Sequence, residues 1–359
     1  MADNEGKSMN PVTACVAVPG VGAVVREVVA RHGGDAHELV QILREVQEQC
    51  DWISPEAIDC LADELRVPRT KIEAVAGFYS FFYLVPRGAY RVLFSDNITD
   101  RLAGSAGLKS RMCRNLWVEP GKVSEDGAVS VDLTSCTGMC DQGPAMLVNN
   151  RAITHLDDAR VDAICELIRD RVALDDWPAE FFHVENNIRR ADMLLGSRVE
   201  SGSAIKAVET RGAQGMLAEL RASNLRGRGG AGFATATKWS LCRAAPGAEH
   251  FVVCNADEGE PGTFKDRVLL TSHADLVFEG MTVAAYAIGA SLGFLYLRGE
   301  YRYLLEPLEA ALQRRRAANL LGNGICGQPG FDFDIRIHVG AGSYAVSYTH
   351  LTLPTNREV

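Results

Sequence analysis

Along residues 36–50 the apolar positions Leu39, Val40, Ile42, Leu43 and Val46 recur every three to four residues, the spacing of a helix with one buried face. Ser54, Pro55 and Glu56 then supply a cap, a first-turn proline and an acid at the positive end of a helix dipole. A second helix is therefore predicted over 55–65. A third is expected to begin after Pro68 and to carry the aromatic run Phe78, Tyr79, Phe81, Phe82 and Tyr83. Residues 20–86 read as a small helical bundle.

After Pro86-Arg87-Gly88 the period changes to two. Residues 90–94 and 129–133 alternate, and 145–148 and 152–154 flank Asn149-Asn150, a pair suited to a tight hairpin. Helices are expected over 100–115 and from the cap Asp157 to about 171. This order fits a thioredoxin-like α/β layer over 87–172. Residues 173–200, with Trp177-Pro178, read as a polar linker. From Ser201 a second unit alternates: helix 213–222, glycine loop 227–232, strand 251–254, helix 273–288, strand 294–297, helix 302–316 and strand 331–339. Such alternation predicts a mostly parallel, helix-covered sheet, a Rossmann-like α/β domain over 201–345.

The chain has 359 residues, 47% hydrophobic and 23% charged, which excludes a disordered tail, a fibre and a coiled coil. A net charge of −9 leaves no basic face for non-specific nucleic-acid binding. No run of 18 apolar residues occurs, so no membrane insertion is expected, and the first ten residues lack a secretory layout. Ten irregularly spaced cysteines do not form a disulfide framework, which points to the cytoplasm. Most of them, Cys15, Cys50, Cys60, Cys165, Cys242 and Cys326, read as small apolar packing groups. Eight scattered histidines offer no zinc spacing, and no nucleophile elbow or Ser–His–Asp pattern occurs.

Two loops carry the chemistry. In 224–239, NLRGRGGAGFATATKW, Gly227, Gly229 and Gly232 satisfy G-x-G-x-x-G, but a helix rather than a strand precedes them. With Gly230, these glycines let backbone N–H groups approach a flat ring or a phosphate, whose charge Arg228 and Lys238 would neutralise. The second loop, NADEGEPGTFKD over 255–266, starts where a strand ends, the usual ligand position in open α/β sheets. Asp257, Glu258 and Glu260 repel phosphate but accept hydrogen bonds from sugar or ribityl hydroxyls. Together the loops suggest a hydroxyl-rich nucleotide; a glycine turn beside a solvated acidic face is the bland alternative.

RGRGGAGF…KW followed by CNADEGEPGTFKDR resembles the flavin-carrying component of respiratory complex I, and QEQCDWISPEAI…GFYSFF with SCTGMCDQGPAMLV resembles its thioredoxin-like component. Both fused in this order, over about 20–345, resemble the flavin-bearing diaphorase subunits of soluble NAD-reducing nickel–iron hydrogenases. The resemblance implies an oxidoreductase in which electrons from NADH, or returned to NAD, pass through FMN to iron–sulfur clusters, with other hydrogenase or complex-I-like subunits as partners. It implies FMN contacts at Gly227, Arg228, Gly229, Lys238, Asn255, Asp257, Glu258 and Tyr344, and NAD(H) contacts at Gly230, Gly232, Phe233 and Glu260. Hydride transfer belongs to the flavin, so no protein side chain is assigned as catalytic.

Two features depart from that family. Cys136 and Cys140 match one cysteine pair of its 2Fe–2S cluster, but the other pair falls on Ser95 and Asp100, so a complete cluster is not expected. After GAGSYA the family's glutamate loop and 4Fe–4S cysteines are missing. Residues 346–359 read as foreign sequence, and the flavin domain as cut short. The chain by itself is therefore expected to bind FMN weakly, if at all, and not to complete NADH-driven reduction of an iron–sulfur acceptor. Two rival readings remain: a partner-docking piece with an empty flavin site, and a thiol oxidoreductase using Cys136 and Cys140. Whether hydrogen, formate or a quinone lies at the end of the electron path is left open.

Overall fold

A computed structural model describes residues 20–196, 199–228, 231–247 and 249–343. Gly229, Gly230, Tyr344 and the segment 346–359 lie outside these described residues. The bundle comprises α1 (Val21–Arg31), α2 (Leu39–Cys50), α3 (Pro55–Leu65) and α4 (Arg69–Phe78) around Val25, Val28, Ile42, Leu43, Val46, Leu61 and Ile72. The Ser54 hydroxyl accepts the Ala57 N–H at 3.1 Å, so the predicted cap starts α3. α4 stops at Phe78, one residue into the aromatic run that the sequence placed in a helix. The reason is tertiary. The Ser80 and Phe81 N–H groups donate to the Gly342 and Ala341 carbonyls at 2.9 and 3.0 Å, bonds a continuing helix would forbid.

The thioredoxin-like layer runs β1 (Tyr90–Ser95), α5 (Ile98–Leu102), α6 (Ser105–Asn115), β2 (Val129–Thr134), β3 (Met146–Val148), β4 (Arg151–Ile153) and α7 (Asp158–Arg169). The strand order is β2-β1-β3-β4, with β1 parallel to β2 and antiparallel to β3. Asn149 and Asn150 take φ of +47° and +66° in the hairpin between β3 and β4. The helix expected over 100–115 is two, broken at Gly104 with φ +95°. The connecting segment is laid against this layer. Trp177 is buried, stacks on Tyr90 and donates Nε1–H to the Val172 carbonyl at 3.0 Å. A single helical turn, α8 (Met193–Gly196), follows.

The last unit contains α9 (Ser203–Ala222), α10 (Thr235–Ala244), β5 (Phe251–Ala256), α11 (Lys265–Ile288), β6 (Leu292–Leu297), α12 (Leu305–Ala317) and β7 (Asp334–Val339). Its strands are parallel in the order β5-β6-β7, as the alternation predicts. α11 begins eight residues before the predicted 273, because Glu258 supplies acceptors for its first N–H groups. Phe278, Leu295, Leu312 and Ile335 form the core between sheet and helices. On the free side of β7, Gln41 from α2 donates Nε2–H to the Val339 carbonyl at 2.9 Å and accepts its N–H at 3.3 Å. One side chain thus stands in for a neighbouring strand and ties bundle to sheet.

Candidate functional site

The carboxyl ends of β5, β6 and β7 lie side by side, and the three exit loops build the site. The Arg298 N–H donates to the Ala256 carbonyl at 3.1 Å, and the Gly340 N–H to the Leu297 carbonyl at 2.7 Å. Asn255 closes the first turn by accepting the Asp257 N–H on its side-chain oxygen at 3.1 Å. Asp257 itself is 7% exposed and accepts no hydrogen bond among the described residues. Burial, reinforced by the nearby Glu300 charge and opposed by Arg298, pushes its carboxyl up to about 7. A buried acceptor with no protein donor is the feature a hydroxyl-bearing ligand would satisfy. A side chain at Gly340 would press on this carboxylate, since a Cβ there would lie 3.2 Å from its Oδ1.

Glu258 behaves differently from its neighbour. Its carboxylate accepts the Asp266 and Arg267 N–H groups at 2.9 and 3.1 Å and the Tyr301 hydroxyl at 2.9 Å, with Lys265 Nζ at 3.5 Å. The structure therefore places it at the start of α11, as a helix cap with its acceptors occupied. Glu260 is exposed; its carbonyl accepts from Thr263, which turns the chain through Gly262 at φ +90°.

In the glycine loop, Gly227 N–H donates to the Phe233 carbonyl at 2.8 Å and Thr235 N–H to the Leu225 carbonyl at 3.0 Å. The loop is thus pinched at its neck and delivers the chain into α10. Gly232 takes φ +58°, a conformation open to glycine. Arg228 and Lys238 are exposed and make no ion pair among the described residues, while Phe233 is 52% exposed. Arg228 in the loop and Lys238 near the start of α10 are cations of the kind that suit a phosphate. The helix that precedes the loop sets it apart from a dinucleotide fingerprint.

The cysteine loop is where sequence reasoning fell short. Cys136, buried, and Cys140, half-buried, lie with their sulfurs 3.4 Å apart. The Asn97 side-chain amide sits among them, 3.4 Å from Cys136 Sγ, 3.6 Å from Cys140 Sγ, 2.9 Å from Ser95 Oγ and 2.5 Å from Asp100 Oδ2. The four positions that the family devotes to its cluster are therefore brought together. Their donors are two sulfurs, a hydroxyl and a carboxylate, with an amide between them, and this set does not fit a 2Fe–2S cluster that takes four thiolates. The hydrogen bond between the sulfurs, with help from the Gly138 N–H and Arg298, lowers the Cys136 thiol and raises that of Cys140.

The same loop touches the acid loop directly, a relation no spacing in the sequence announces. The Gly262 N–H donates to Cys140 Sγ at 3.2 Å. Arg298, 3% exposed, bonds both the Glu258 carbonyl and the Cys136 carbonyl, the latter at 2.8 Å, and pairs with Glu300 at 3.1 Å. Arg267, 1% exposed, donates to the Gly138 carbonyl at 3.0 Å and to Asp141 at 2.7 Å. Asn97, Gly262, Arg267 and Arg298 are thus the residues that sequence reasoning missed. Only the position of Arg298 just past a strand could have hinted at its role.

Residues 25–169 match the family of thioredoxin-like [2Fe-2S] ferredoxins, and residues 220–352 match the Nuo51 FMN-binding domain. Over 337 residues the chain is 37% identical to the alpha subunit of the NAD-reducing hydrogenase HoxS of Cupriavidus necator, covering 89% of this chain and 55% of that subunit. Along most of its own length the chain is similar to the alpha subunit of an NAD-reducing hydrogenase. A crystal structure of an air-oxidized NAD+-reducing [NiFe]-hydrogenase superposes with a TM-score of 0.79 at 38% identity, over 88% of this chain and 53% of that one. The mitochondrial NADH dehydrogenase [ubiquinone] flavoprotein 1 of Dictyostelium discoideum is 34% identical over 218 residues, 60% of this chain and 44% of the relative. The chain spans about half the length of the hydrogenase relatives it matches. Among the described residues no helix is long and apolar enough to cross a membrane.

Proposed function

We propose that this chain is an NADH:FMN oxidoreductase module of a cytoplasmic, multi-subunit enzyme, handing electrons derived from NADH, or returning them to NAD, through FMN. The observation that carries this reading is Asp257, a buried carboxylate with no protein donor among the described residues, at the carboxyl edge of a parallel sheet. Bound there, FMN would take a hydride and release electrons singly. Arg228, Lys238 and the glycine-loop N–H groups would hold its phosphate, and Asn255 and Asp257 its ribityl hydroxyls. Glu258 would act by fixing the start of α11 rather than by direct contact. Phe233 would stack on NADH, and Glu260 would repel the extra phosphate of NADPH. Gly229, Gly230 and Tyr344 remain assigned to the same nucleotides by position in the motif.

The test is a titration of the purified chain with FMN, followed by flavin fluorescence, then anaerobic NADH. Weak saturable binding is expected, weakened at least tenfold further by Asp257→Asn and by Arg228→Ala/Lys238→Ala, with bleaching of the bound flavin by NADH. Affinity unchanged by all three substitutions would refute the assignment.

A further inference from the structure

In place of a cluster, we propose that Cys136 and Cys140 form a reversible disulfide, a two-electron thiol site built into the wall of the acid loop. The inference rests on the geometry of the cysteine loop and not on the flavin reading. The sulfurs already lie 3.4 Å apart in a short loop, and a disulfide requires them to close to about 2.05 Å. Each accepts from a backbone N–H: Gly138 donates to Cys136 at 3.3 Å and Gly262 to Cys140 at 3.2 Å. Such donors orient the two sulfurs, and a thiolate is the form that attacks a disulfide. The two cysteines differ in access, because Cys136 is fully buried and Cys140 is partly exposed. No other cysteine among the described residues bonds to either of them.

With a small disulfide such as oxidised glutathione as oxidant, the accessible Cys140 thiol passes its proton to the Cys136 sulfur 3.4 Å away and attacks one of the glutathione sulfurs. A mixed disulfide forms and one glutathione leaves. The Cys136 thiolate then attacks the Cys140 sulfur and expels the second glutathione. Two electrons pass from the cysteine pair to the glutathione disulfide, and the two cysteine protons end on the two released glutathione thiols. Reduced glutathione or a dithiol runs the sequence backwards. Because the Gly262 N–H donates to the Cys140 sulfur, the bond also alters an acceptor that holds the acid loop.

The pair can be followed without interference, since tryptic cleavage after Lys122 and Arg151 leaves both cysteines, and no others, in peptide 123–151. The purified chain is equilibrated with glutathione buffers of increasing oxidised fraction, quenched with acid, alkylated and analysed by mass spectrometry. The expected result is a single transition in which both cysteines escape alkylation together and the peptide becomes two hydrogens lighter. In Cys136→Ser, Cys140 should carry one glutathione; in Cys140→Ser, the buried Cys136 should carry none. Both cysteines remaining alkylatable at every ratio would overturn the proposal. So would a wild-type peptide that accumulates the glutathione adduct without closing, or iron-and-sulfide reconstitution that protects both cysteines and yields visible absorbance lost in Cys136→Ser.

Discussion

Arg298→Met tests how the cysteine loop and the acid loop are joined. The guanidinium is 3% exposed and bonds the carbonyls of Cys136 and Glu258, while its Nε pairs with a Glu300 carboxylate that is itself 4% exposed. Methionine keeps the apolar stem and removes every donor. Two backbone acceptors then lose their partner, and a buried carboxylate is left without a cation. Breaking a buried ion pair from one side costs roughly 3–5 kcal/mol, more than the two lost carbonyl bonds at about 1 kcal/mol each. At about 2–4 °C per kcal/mol for a domain of this size, the ion-pair cost alone should lower the melting temperature by roughly 6–20 °C. Thermal unfolding by circular dichroism gives the number. The decisive companion is Arg298→Met/Glu300→Met, in which no charge is stranded; it should recover most of the loss, a coupling beyond simple additivity. A single variant within about 1 kcal/mol of the parent, or a double variant as damaged as the single, would refute the account.

Asp257→Asn should stabilise the ligand-free chain at pH 8 while weakening FMN. With a folded-state carboxyl raised to about 7 from an ordinary 3.8, the folded chain binds the extra proton, so this group's stability is lost as pH rises between those values; urea midpoints from pH 4 to 8 should show a shallower fall in the variant. Gln41→Leu removes both bonds to Val339 and should cost about 1–3 kcal/mol, read as a lower urea midpoint with both buried backbone groups left unpaired. Anaerobic reconstitution of the unaltered chain with iron and sulfide should give no stable 2Fe–2S absorbance or electron paramagnetic resonance signal, because Ser95 and Asp100 stand where thiolates are needed. Glu260→Gln should narrow the preference for NADH over NADPH in flavin bleaching, and an unchanged ratio would remove Glu260 from the nucleotide contacts.

Period and punctuation made most elements legible. α3 runs over the residues marked by Ser54-Pro55 and Leu65, and the Asn149-Asn150 hairpin sits where two short alternating runs flank it. The parallel sheet followed from strands alternating with helices. What was hidden depended on distant partners. The aromatic turn after Phe78 looks helical by local propensity, and only the Gly342 and Ala341 carbonyls, more than 250 residues away in sequence, pull it out. The early start of α11 needs a carboxylate from Glu258 that a one-dimensional reading assigns to a ligand. The site loops were legible as motifs, yet within NADEGEPG the division of labour was not, since Asp257 and Glu258 are adjacent and differ only in what the fold brings to each. Asn97 carried no signal at all, because an asparagine after a strand reads as a helix cap, which it also is.

The cysteine layer contributes to the candidate site whether or not it ever holds iron. A loop of acids and glycines has little apolar surface with which to order itself, and its backbone would sample many conformations if left in water. Here it is fastened at several points to one neighbouring loop: Gly262 to Cys140, Arg267 to Gly138 and Asp141, and Arg298 between Glu258 and Cys136. Only the first of these uses a cysteine side chain. The others use backbone carbonyls or Asp141, so they are indifferent to whether Ser95 and Asp100 are cysteines. Support of the acid loop therefore does not depend on the loop holding a metal. Ser95 and Asp100 supply no thiolate, and these contacts stand without one. The fused order of the two halves keeps that support on the same chain, where it needs no association step to reach the loop it orders.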